Sequence, residues 1–283
     1  MKYLDDDAIA RLRQIVEVPD LSGTRYRIVE KIGRGGMGAV YKAEDTVLNR
    51  MIALKVLDEE NDEAHIMAAL EHPGIVPVHD AGRLPDGRIF YAMKLIDGAP
   101  FNELRAPLAD RLRVFQKICE AVAFAHSRGV FHGDLKPENI MVGAFGEALV
   151  LDWGVAALAR RGSIAGTRGF VAPEQAAGVA MDARSDIFSL GAILREVLTG
   201  EPARPALTSI CAKAMAAEPQ DRYASVLEMT AEIARYLDGE PVQAHRETLL
   251  ERVGRLFARH YMWILLIAAY LVMRTLLLLF LHR

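Results

Sequence analysis

The sequence predicts an α+β fold with two lobes, followed by one C-terminal transmembrane helix. Segments with strand-like alternation at residues 26–32 and 39–44 indicate antiparallel strands in the first lobe, together with a short helix. We expect this lobe over about residues 26–95 and a mainly helical second lobe over about residues 96–237. Around them lie an N-terminal extension at 1–25, a juxtamembrane segment at 238–261 and an apolar helix at 262–281.

A glycine-rich run joins the first two predicted strands. Residues 33–40 read Gly-Arg-Gly-Gly-Met-Gly-Ala-Val, which satisfies the pattern G-x-G-x-x-G-x-V. The glycine spacing alone is weak evidence, because dinucleotide-binding folds use it before a helix. Strand-like segments on both sides instead favour a hairpin that lies over phosphate groups. Lys55 follows in the run Ile-Ala-Leu-Lys, at the spacing of the next strand.

A dense set of polar residues follows in the second half of the chain. Residues 132–139 read His-Gly-Asp-Leu-Lys-Pro-Glu-Asn, and Asp-Trp-Gly follows at 152–154. Asp134 can accept a proton, and the side chains of Asn139 and Asp152 can hold a metal ion. With a cation from Lys136, these groups meet the needs of phosphoryl transfer from a nucleotide, whose several charged oxygens must be neutralised in a closed site.

These residues, in this order, resemble the eukaryotic-like (Hanks-type) Ser/Thr protein kinases of bacteria, over residues 26–237. Three further motifs agree with the family: the end of an activation segment at 166–174, the start of the helix that anchors the catalytic loop at 186–191, and a late motif at 219–223. In the family, the arginine of the late motif, here Arg222, pairs with the glutamate at the position of Glu174. The resemblance implies ATP-dependent phosphorylation of proteins in cytosolic signalling.

The resemblance also assigns roles to individual residues. Asp134 would be the catalytic base and Lys136 a γ-phosphate contact, while Asn139 and Asp152 would ligate Mg²⁺, with Mn²⁺ as an alternative. Lys136, two residues after Asp134, is typical of Ser/Thr rather than Tyr kinases. The ATP-binding residues implied by the family are Ile32, Gly33, Gly35, Gly36, Gly38, Val40, Ala53, Lys55, Glu63, Met93, Leu95 and Met141. For the apolar members of this set, ordinary core packing is an equally good interpretation.

Two regions are shorter than the family pattern. Glu63 is the candidate ion-pair partner of Lys55, with Glu59 and Glu60 as alternatives, and it follows Lys55 closely. The helix that carries it must therefore be short, with Glu63 in its first turn. A second shortening lies between residues 198–202 and 207–211, where a substrate-side helix and its loops normally intervene.

Gly133 stands where most family members carry the arginine that receives an activation-loop phosphate. The segment at 152–174 has only Ser163 and Thr167 as Ser/Thr hydroxyls. We expect Thr167 to hydrogen-bond near Asp134, as the family threonine does. The loop is therefore expected to be ordered without phosphorylation.

The shortened regions support an alternative function, a nucleotide-binding pseudokinase that acts as a membrane scaffold. Against it, Lys55, Asp134, Lys136, Asn139 and Asp152 are all present, whereas degenerate kinases commonly lose at least one such residue. A small-molecule kinase on the same fold is a third hypothesis. It is disfavoured because residues 166–174 resemble the peptide-binding region of protein kinases.

The apolar segment at 263–281 carries Arg274 as its only charge and would span about 28 Å as a helix, which matches a bilayer core. Four arginines precede it at 246–259, so the positive-inside rule predicts a single-pass protein of the inner membrane with the kinase lobes in the cytosol. A buried helix or an interfacial helix is the alternative. The expected partners are ATP, protein substrates and the lipid bilayer, and a membrane protein or second copy could pair with Arg274 through the span.

Composition excludes other classes. A net charge of −3 with no basic stripe gives no support for nucleic-acid binding. Cys119 and Cys211 offer neither a disulfide framework nor metal-ligand spacing, which suits a reducing cytosol. Residues 245–260 have helical spacing with arginines around the apolar positions, which fits a surface-lying juxtamembrane helix or a continuous linker helix equally well.

Overall fold

The computed structural model of the chain describes residues 18–35, 37–59, 62–153, 167 and 169–281. The elements of the first lobe are β1 (Tyr26–Gly35), β2 (Gly38–Asp45), β3 (Arg50–Leu57), α1 (Glu63–Ala69), β4 (Val78–Arg83) and β5 (Ile89–Lys94). Their strands form one antiparallel sheet in the order β1-β2-β3-β5-β4. The predicted antiparallel sheet with one short helix is confirmed.

The alternation of side chains along β3 determines what faces the second lobe. Ile52, Leu54 and Val56 are buried in an apolar cluster on one face of the sheet. Because successive side chains in a strand point to opposite faces, Ala53 and Lys55 lie on the other face. Both line the cleft between the lobes.

The second lobe is mainly helical, as predicted. Its elements are β6 (Gly98–Pro100), a 3₁₀ turn (Phe101–Glu103), α2 (Leu108–Ser127), a 3₁₀ turn (Pro137–Asn139), β7 (Ile140–Gly143), β8 (Ala148–Val150), α3 (Pro173–Ala176), α4 (Ala183–Val197), α5 (Pro205–Ala214), a 3₁₀ turn (Pro219–Asp221) and α6 (Val226–Leu237). Strands β6, β7 and β8 form a small antiparallel sheet under the cleft.

Helix α2 lies at the centre of this lobe. Leu112, Phe115, Ile118 and Val122 repeat at helical spacing and are fully buried. Cys119 lies on the same buried face, and burial raises the pKa of its thiol to about 12, so the thiolate needed for redox or metal chemistry is disfavoured. Residues 132–139, which follow α2 in the chain and correspond to the catalytic loop of the family named above, lie against this packed helix.

Helix α4 is well capped at its start. The carboxylate of Asp182 accepts a hydrogen bond from the backbone N–H of Arg184 at 2.7 Å. The helix ends at Val197 and α5 begins at Pro205, so residues 198–204 are the whole connection between them. The second predicted shortening is therefore present in the structure.

The chain after α6 is attached to the second lobe. Val242 is buried, and the backbone N–H of Ala244 donates to the carboxylate of Glu232 at 2.8 Å. His245 Nδ1 lies 3.1 Å from the hydroxyl of Ser209. The last helix, α7 (Leu249–Leu281), then runs without a break for 33 residues. Between the two interpretations of residues 245–260, this favours a continuous helix.

Within the part of the chain that the structure describes, no helix has both the length and the hydropathy required to cross a membrane. The transmembrane helix predicted at residues 262–281 is not confirmed.

Candidate active site

A cleft of about 760 Å³ lies between the sheet and the helical lobe. It brings together residues from β1 to β3, from β5 and the residues just after it, and from the range 134–152, which are far apart in the sequence. The predicted site residues that line it are Ile32, Gly33, Gly35, Gly38, Val40, Ala53, Lys55, Met93, Leu95, Asp134, Lys136, Asn139, Met141 and Asp152. Of the other two, Glu63 lies buried behind Lys55, and Gly36 lies outside the described residues.

The structure gives one physical reason for glycine at position 38 and a different one at positions 33 and 35. Gly38 has φ 152°, and a Cβ there would lie 2.1 Å from the carbonyl oxygen of Val56, so the pairing of β2 with β3 requires glycine. A Cβ at Gly33 or Gly35 would meet nothing within 4 Å. Packing within the protein therefore does not demand glycine at these two positions, and their bare backbone leaves room for a group bound in the cleft.

Lys55 connects three elements through two ion pairs. Its Nζ donates to Glu63 Oε1 on α1 at 2.7 Å and to Asp152 Oδ1 at 2.7 Å. Burial lowers the pKa of Lys55, but the two carboxylates outweigh it, so the pKa is raised and the ammonium stays charged. Glu63 is the first residue of α1, as expected. Of its alternatives, Glu59 is exposed and Glu60 lies outside the described residues.

Tyr91 is a contact that the sequence analysis did not identify. Its hydroxyl donates to Glu63 Oε1 at 2.8 Å, and its side chain is buried. Burial and then the charge of Glu63 raise the pKa of Tyr91 well above its ordinary value, so the hydroxyl remains a donor. The register of β3 and β5 places Tyr91 opposite Lys55. That pairing could have been anticipated from the two strands, but the contact of Tyr91 with Glu63 could not.

The catalytic loop holds a closed cluster of hydrogen bonds around Asp134. Lys136 Nζ donates to Asp134 Oδ2 at 2.7 Å and to Thr167 Oγ1 at 2.7 Å. The hydroxyl of Thr167 donates in turn to Asp134 Oδ1 at 2.8 Å, as the sequence analysis expected. Asn139 Nδ2 donates to the backbone carbonyl of Asp134 at 2.9 Å. Each oxygen of the Asp134 carboxylate thus accepts a hydrogen bond from a residue that lines the cleft.

Asp186, in the first turn of α4, fixes the backbone of this loop. It is fully buried and accepts from the backbone N–H of His132 at 2.8 Å and of Gly133 at 2.9 Å. His126 Nε2 lies 2.7 Å from the same carboxylate. Burial raises the pKa of Asp186, but the hydrogen bonds and the nearby histidines outweigh it and hold the pKa below its ordinary value. The loop is thus anchored by an ionised carboxylate.

Gln175 was also missed by the sequence analysis. Its Nε2 donates to the carbonyl of Gly133 at 3.0 Å, and its Oε1 accepts from the N–H of Ala172 at 3.2 Å. The side chain is buried, and Gly133 adopts φ 79°, a left-handed conformation that suits glycine. A neutral amide therefore joins the end of the activation segment to the catalytic loop, at the residue where the family usually carries a phosphate-binding arginine.

The predicted pair of Glu174 and Arg222 is present and bidentate. Arg222 Nη1 donates to Glu174 Oε1 at 2.7 Å and Nη2 to Oε2 at 2.8 Å. Burial raises the pKa of Glu174, but the hydrogen bonds from Arg222, its own backbone and Ser185 outweigh it, and the pKa is lowered. This pair fixes α3 at the end of the activation segment. Ser163, and residues 166 and 168 of the motif at 166–174, lie outside the described residues.

Asp152 has an unusual backbone conformation. Its φ of 59° lies in the left-handed region, which is rare for residues other than glycine and recurs at functional sites. Burial raises the pKa of Asp152, but Lys55 outweighs it and lowers the pKa. Trp153 is fully buried, with its ring centroid 4.7 Å from that of His132. The indole packs in the hydrophobic core next to Asp152, which helps hold Asp152 in the cleft.

The residues of the cleft fit a bound metal ion with a nucleotide. Asn139 and Asp152 both line the cleft and offer hard oxygen donors, which Mg²⁺ prefers. Because the amide nitrogen of Asn139 is bonded to the Asp134 carbonyl, its amide oxygen is the atom left to face a cation. Gly33 and Gly35 line the same cleft as Asn139 and Asp152. Negatively charged phosphate groups bound there would share the cation with these two residues.

Comparisons with known proteins agree with this geometry. The chain is 31% identical to the serine/threonine-protein kinase PknD of Chlamydia trachomatis over 311 residues, covering 81% of this chain and 33% of that protein. It is 35% identical to the serine/threonine-protein kinase PknB of Mycobacterium tuberculosis over 281 residues, covering 80% of this chain and 45% of that protein. The chain therefore spans less than half the length of these two relatives.

A solved structure extends the similarity to the fold. The crystal structure of the Mycobacterium tuberculosis PknI kinase domain superposes with a TM-score of 0.61 at 25% identity, covering 75% of this chain and 96% of that chain. Residues 26–237 match the family described as protein kinase domain, and they contain the sheet, the helical lobe and the whole cleft between them. On this evidence the chain belongs to the protein kinase family and is homologous to the Ser/Thr kinases of bacteria.

Proposed function

We propose that the chain is an active Ser/Thr protein kinase that transfers the γ-phosphate of ATP to protein hydroxyls in cytosolic signalling. The observation that carries this proposal is the completeness of the cleft. Asp134 is oriented by Lys136 and Thr167, and Lys55 is paired with Glu63 and Asp152 within the same structure. No polar group that the reaction requires is replaced by an inert one.

The nucleotide would lie between the two lobes. Val40, Ala53 and Met141 line the apolar part of the cleft, where an adenine ring can pack, and Lys55 lies where α- and β-phosphates would follow. Asn139 and Asp152 would hold Mg²⁺, which when bound neutralises charge on the phosphate oxygens. These are the two roles that the sequence analysis assigned to them.

Asp134 is the group placed to move a proton. Its carboxylate would accept the hydrogen bond of an incoming Ser or Thr hydroxyl and take its proton as the oxygen bonds to phosphorus. Lys136 lies 2.7 Å from the same carboxylate, close enough to exchange one hydrogen bond for a γ-phosphate oxygen. A cation at this position stabilises the negative charge that develops during transfer.

The competing hypothesis is a pseudokinase that binds nucleotide without transferring phosphate. The seven-residue α1 and the short connection at 198–204 favour it, because the first gives Glu63 little support and the second shortens the region where protein substrates dock in the family. The experiment is transfer of labelled γ-phosphate from ATP to a generic protein acceptor, followed by identification of the labelled amino acid. We expect phosphoserine and phosphothreonine from the wild-type chain.

Asp134→Asn is the matched control for that assay. It should reduce transfer by at least about a hundredfold, since it removes a general base, and leave ATP affinity nearly unchanged. If the wild-type chain bound Mg²⁺ and ATP but transferred no phosphate, the pseudokinase hypothesis would replace the kinase. Wild-type turnover in Asp134→Asn would refute the assignment of the base.

We further propose that the C-terminal helix associates with the inner membrane and leaves the kinase lobes in the cytosol. Support comes from the sequence, in which residues 263–281 carry one charge, and from the exposure of Trp263, Leu265, Ile267 and Leu271 on α7. Arg274 would reach the interface or pair with an acidic group on a membrane protein or a second copy.

Fractionation tests the membrane proposal. The full chain should stay with membranes through high-salt and carbonate washes, whereas a chain that ends at His260 should be soluble. Release of the full chain by carbonate would show that α7 lies on the surface or packs on protein. Full solubility of both chains would refute membrane association altogether.

A further inference from the structure

We infer that Tyr91 is a positioning residue for Lys55: its hydroxyl fixes the carboxylate of Glu63, which the short helix α1 cannot hold unaided. The inference deepens the proposed function, because it concerns how the phosphate-binding lysine is kept in place. It rests on three described elements, β3, β5 and α1, which meet at this point beside the cleft.

Helix α1 is a weak support for a catalytic ion pair. It has seven residues, and Glu63 is the first of them. The side chain of its N-cap, Asp62, accepts no hydrogen bond from the helix. Short helices are marginal and their ends fray, so a carboxylate at such an end would sample several positions. An additional anchor is needed to hold Glu63 at 2.7 Å from Lys55.

Tyr91 supplies that anchor from a rigid element. Strand β5 pairs with β3 on one side and β4 on the other, so its backbone is fixed from both sides. The hydroxyl of Tyr91 reaches Glu63 Oε1 at 2.8 Å, and Lys55 Nζ reaches the same oxygen at 2.7 Å. Lys55 Nζ also lies 6.0 Å from the centre of the Tyr91 ring. Tyr91 therefore contacts both members of the ion pair.

The Tyr91 hydroxyl matters because the carboxylate to which it donates is buried. Glu63 has no exposed surface and Tyr91 has 1% of its surface exposed. A buried carboxylate is costly unless donors satisfy it, and a hydrogen bond to a charged group is stronger than one between neutral groups. Loss of the hydroxyl would remove one of the donors to Glu63 Oε1 and would hold the carboxylate less firmly. The expected consequence is a displaced ammonium in the phosphate region of the cleft.

An alternative explanation is that the hydrogen bond from Tyr91 to Glu63 only stabilises the fold and does not affect the position of Lys55. The two explanations differ in which ligand they affect. If Tyr91 acts through Lys55, its loss weakens ligands that carry phosphates and spares adenosine, which has none. A change in stability alone would not distinguish between the two ligands.

The test compares Mg²⁺-ATP and adenosine binding to the full chain by calorimetry. Tyr91→Phe keeps the ring and removes only the hydroxyl, so the fold is expected to persist. Its affinity for ATP should fall about tenfold, which corresponds to about 1.4 kcal/mol, while adenosine affinity changes by less than about twofold. Binding does not require phosphate transfer, so a chain that proved to be a pseudokinase would still report on Tyr91.

A double-mutant cycle with Glu63→Gln asks whether Tyr91 acts through Glu63. In the Glu63→Gln background, Tyr91→Phe should lower ATP affinity by less than about twofold, because residues that share one network are not additive. Tyr223→Phe is the matched control: Tyr223 is buried in the second lobe, and its hydroxyl has no hydrogen-bond partner in the described part of the chain. Its affinities should match the wild type.

Three results would each overturn the inference. The first is unchanged ATP affinity in Tyr91→Phe. The second is an equal loss of ATP and adenosine affinity, which would indicate a general disturbance of the cleft. The third is full additivity of Tyr91→Phe with Glu63→Gln, which would show that Tyr91 acts independently of the ion pair.

Discussion

Arg222→Ala should destabilise the kinase lobes far more than loss of an ordinary ion pair. The guanidinium is buried and donates five hydrogen bonds, two to Glu174 and one each to the carbonyls of Arg184, Ala216 and Ala217. Its removal leaves a mostly buried carboxylate with Ser185 as its remaining side-chain donor. Breaking a buried pair from one side costs about 3–5 kcal/mol of the free energy of unfolding.

Denaturant unfolding measures this loss. The denaturant concentration at the midpoint of unfolding should fall, while the dependence of the unfolding free energy on denaturant concentration stays the same. The midpoint temperature of thermal unfolding should fall by about 2–4 °C for each kcal/mol lost. Arg113→Ala is the matched control, since Arg113 pairs with Asp110 on the exposed surface of α2. Exposed pairs contribute about 0–1 kcal/mol. If Arg222→Ala cost no more than Arg113→Ala, the argument from burial would be wrong.

The same pair makes a prediction about pH. The folded pKa of Glu174 is lowered from 4.5, so its stabilising effect is present above that pH and is lost as pH falls through the folded pKa. In Arg222→Ala, the hydrogen bonds and charge of Arg222 no longer oppose burial, so the pKa of Glu174 should lie higher than in the wild type and protonation should cost this variant less stability. The difference in unfolding free energy between wild type and variant should therefore be largest at neutral pH and narrow in acid.

Three further predictions concern activity. Lys55→Met should lower kcat/KM for ATP by about a hundredfold or more, because the phosphates lose a preorganised cation; unchanged steady-state kinetics would refute its role. Phosphatase treatment, or Ser163→Ala, should change the phosphorylation rate by less than about threefold, under about 0.7 kcal/mol in barrier, since Gly133 cannot bind a loop phosphate. Gln175→Leu should lower kcat about tenfold at unchanged ATP affinity, because the loop carrying Asp134 loses its link to the activation segment. Gln175→Glu keeps the acceptor for Ala172 and should show a similar loss; full activity in both would contradict the coupling.

The sequence by itself determined the chemistry of the cleft. Asp134, Lys136 and Asn139 lie within one short loop, and their spacing alone places a carboxylate, a cation and an amide next to one another. Alternation along β3 likewise places Lys55 on the face opposite Leu54. Such inferences succeed because the residues concerned are close in the chain, so local geometry constrains them strongly.

Only the tertiary structure decided which distant groups complete those motifs. Of the candidates Glu63 and Glu59, it is Glu63 that meets Lys55, because Glu63 begins α1 and is buried beside the sheet, whereas Glu59 lies before the helix and is exposed. Tyr91 and Gln175 look in sequence like an ordinary strand residue and an ordinary helix residue. Tyr91 lies 28 residues from Glu63, and Gln175 lies 42 residues from Gly133. Contacts over such separations depend on how sheet, helices and loops pack together, and packing is a property of the whole fold.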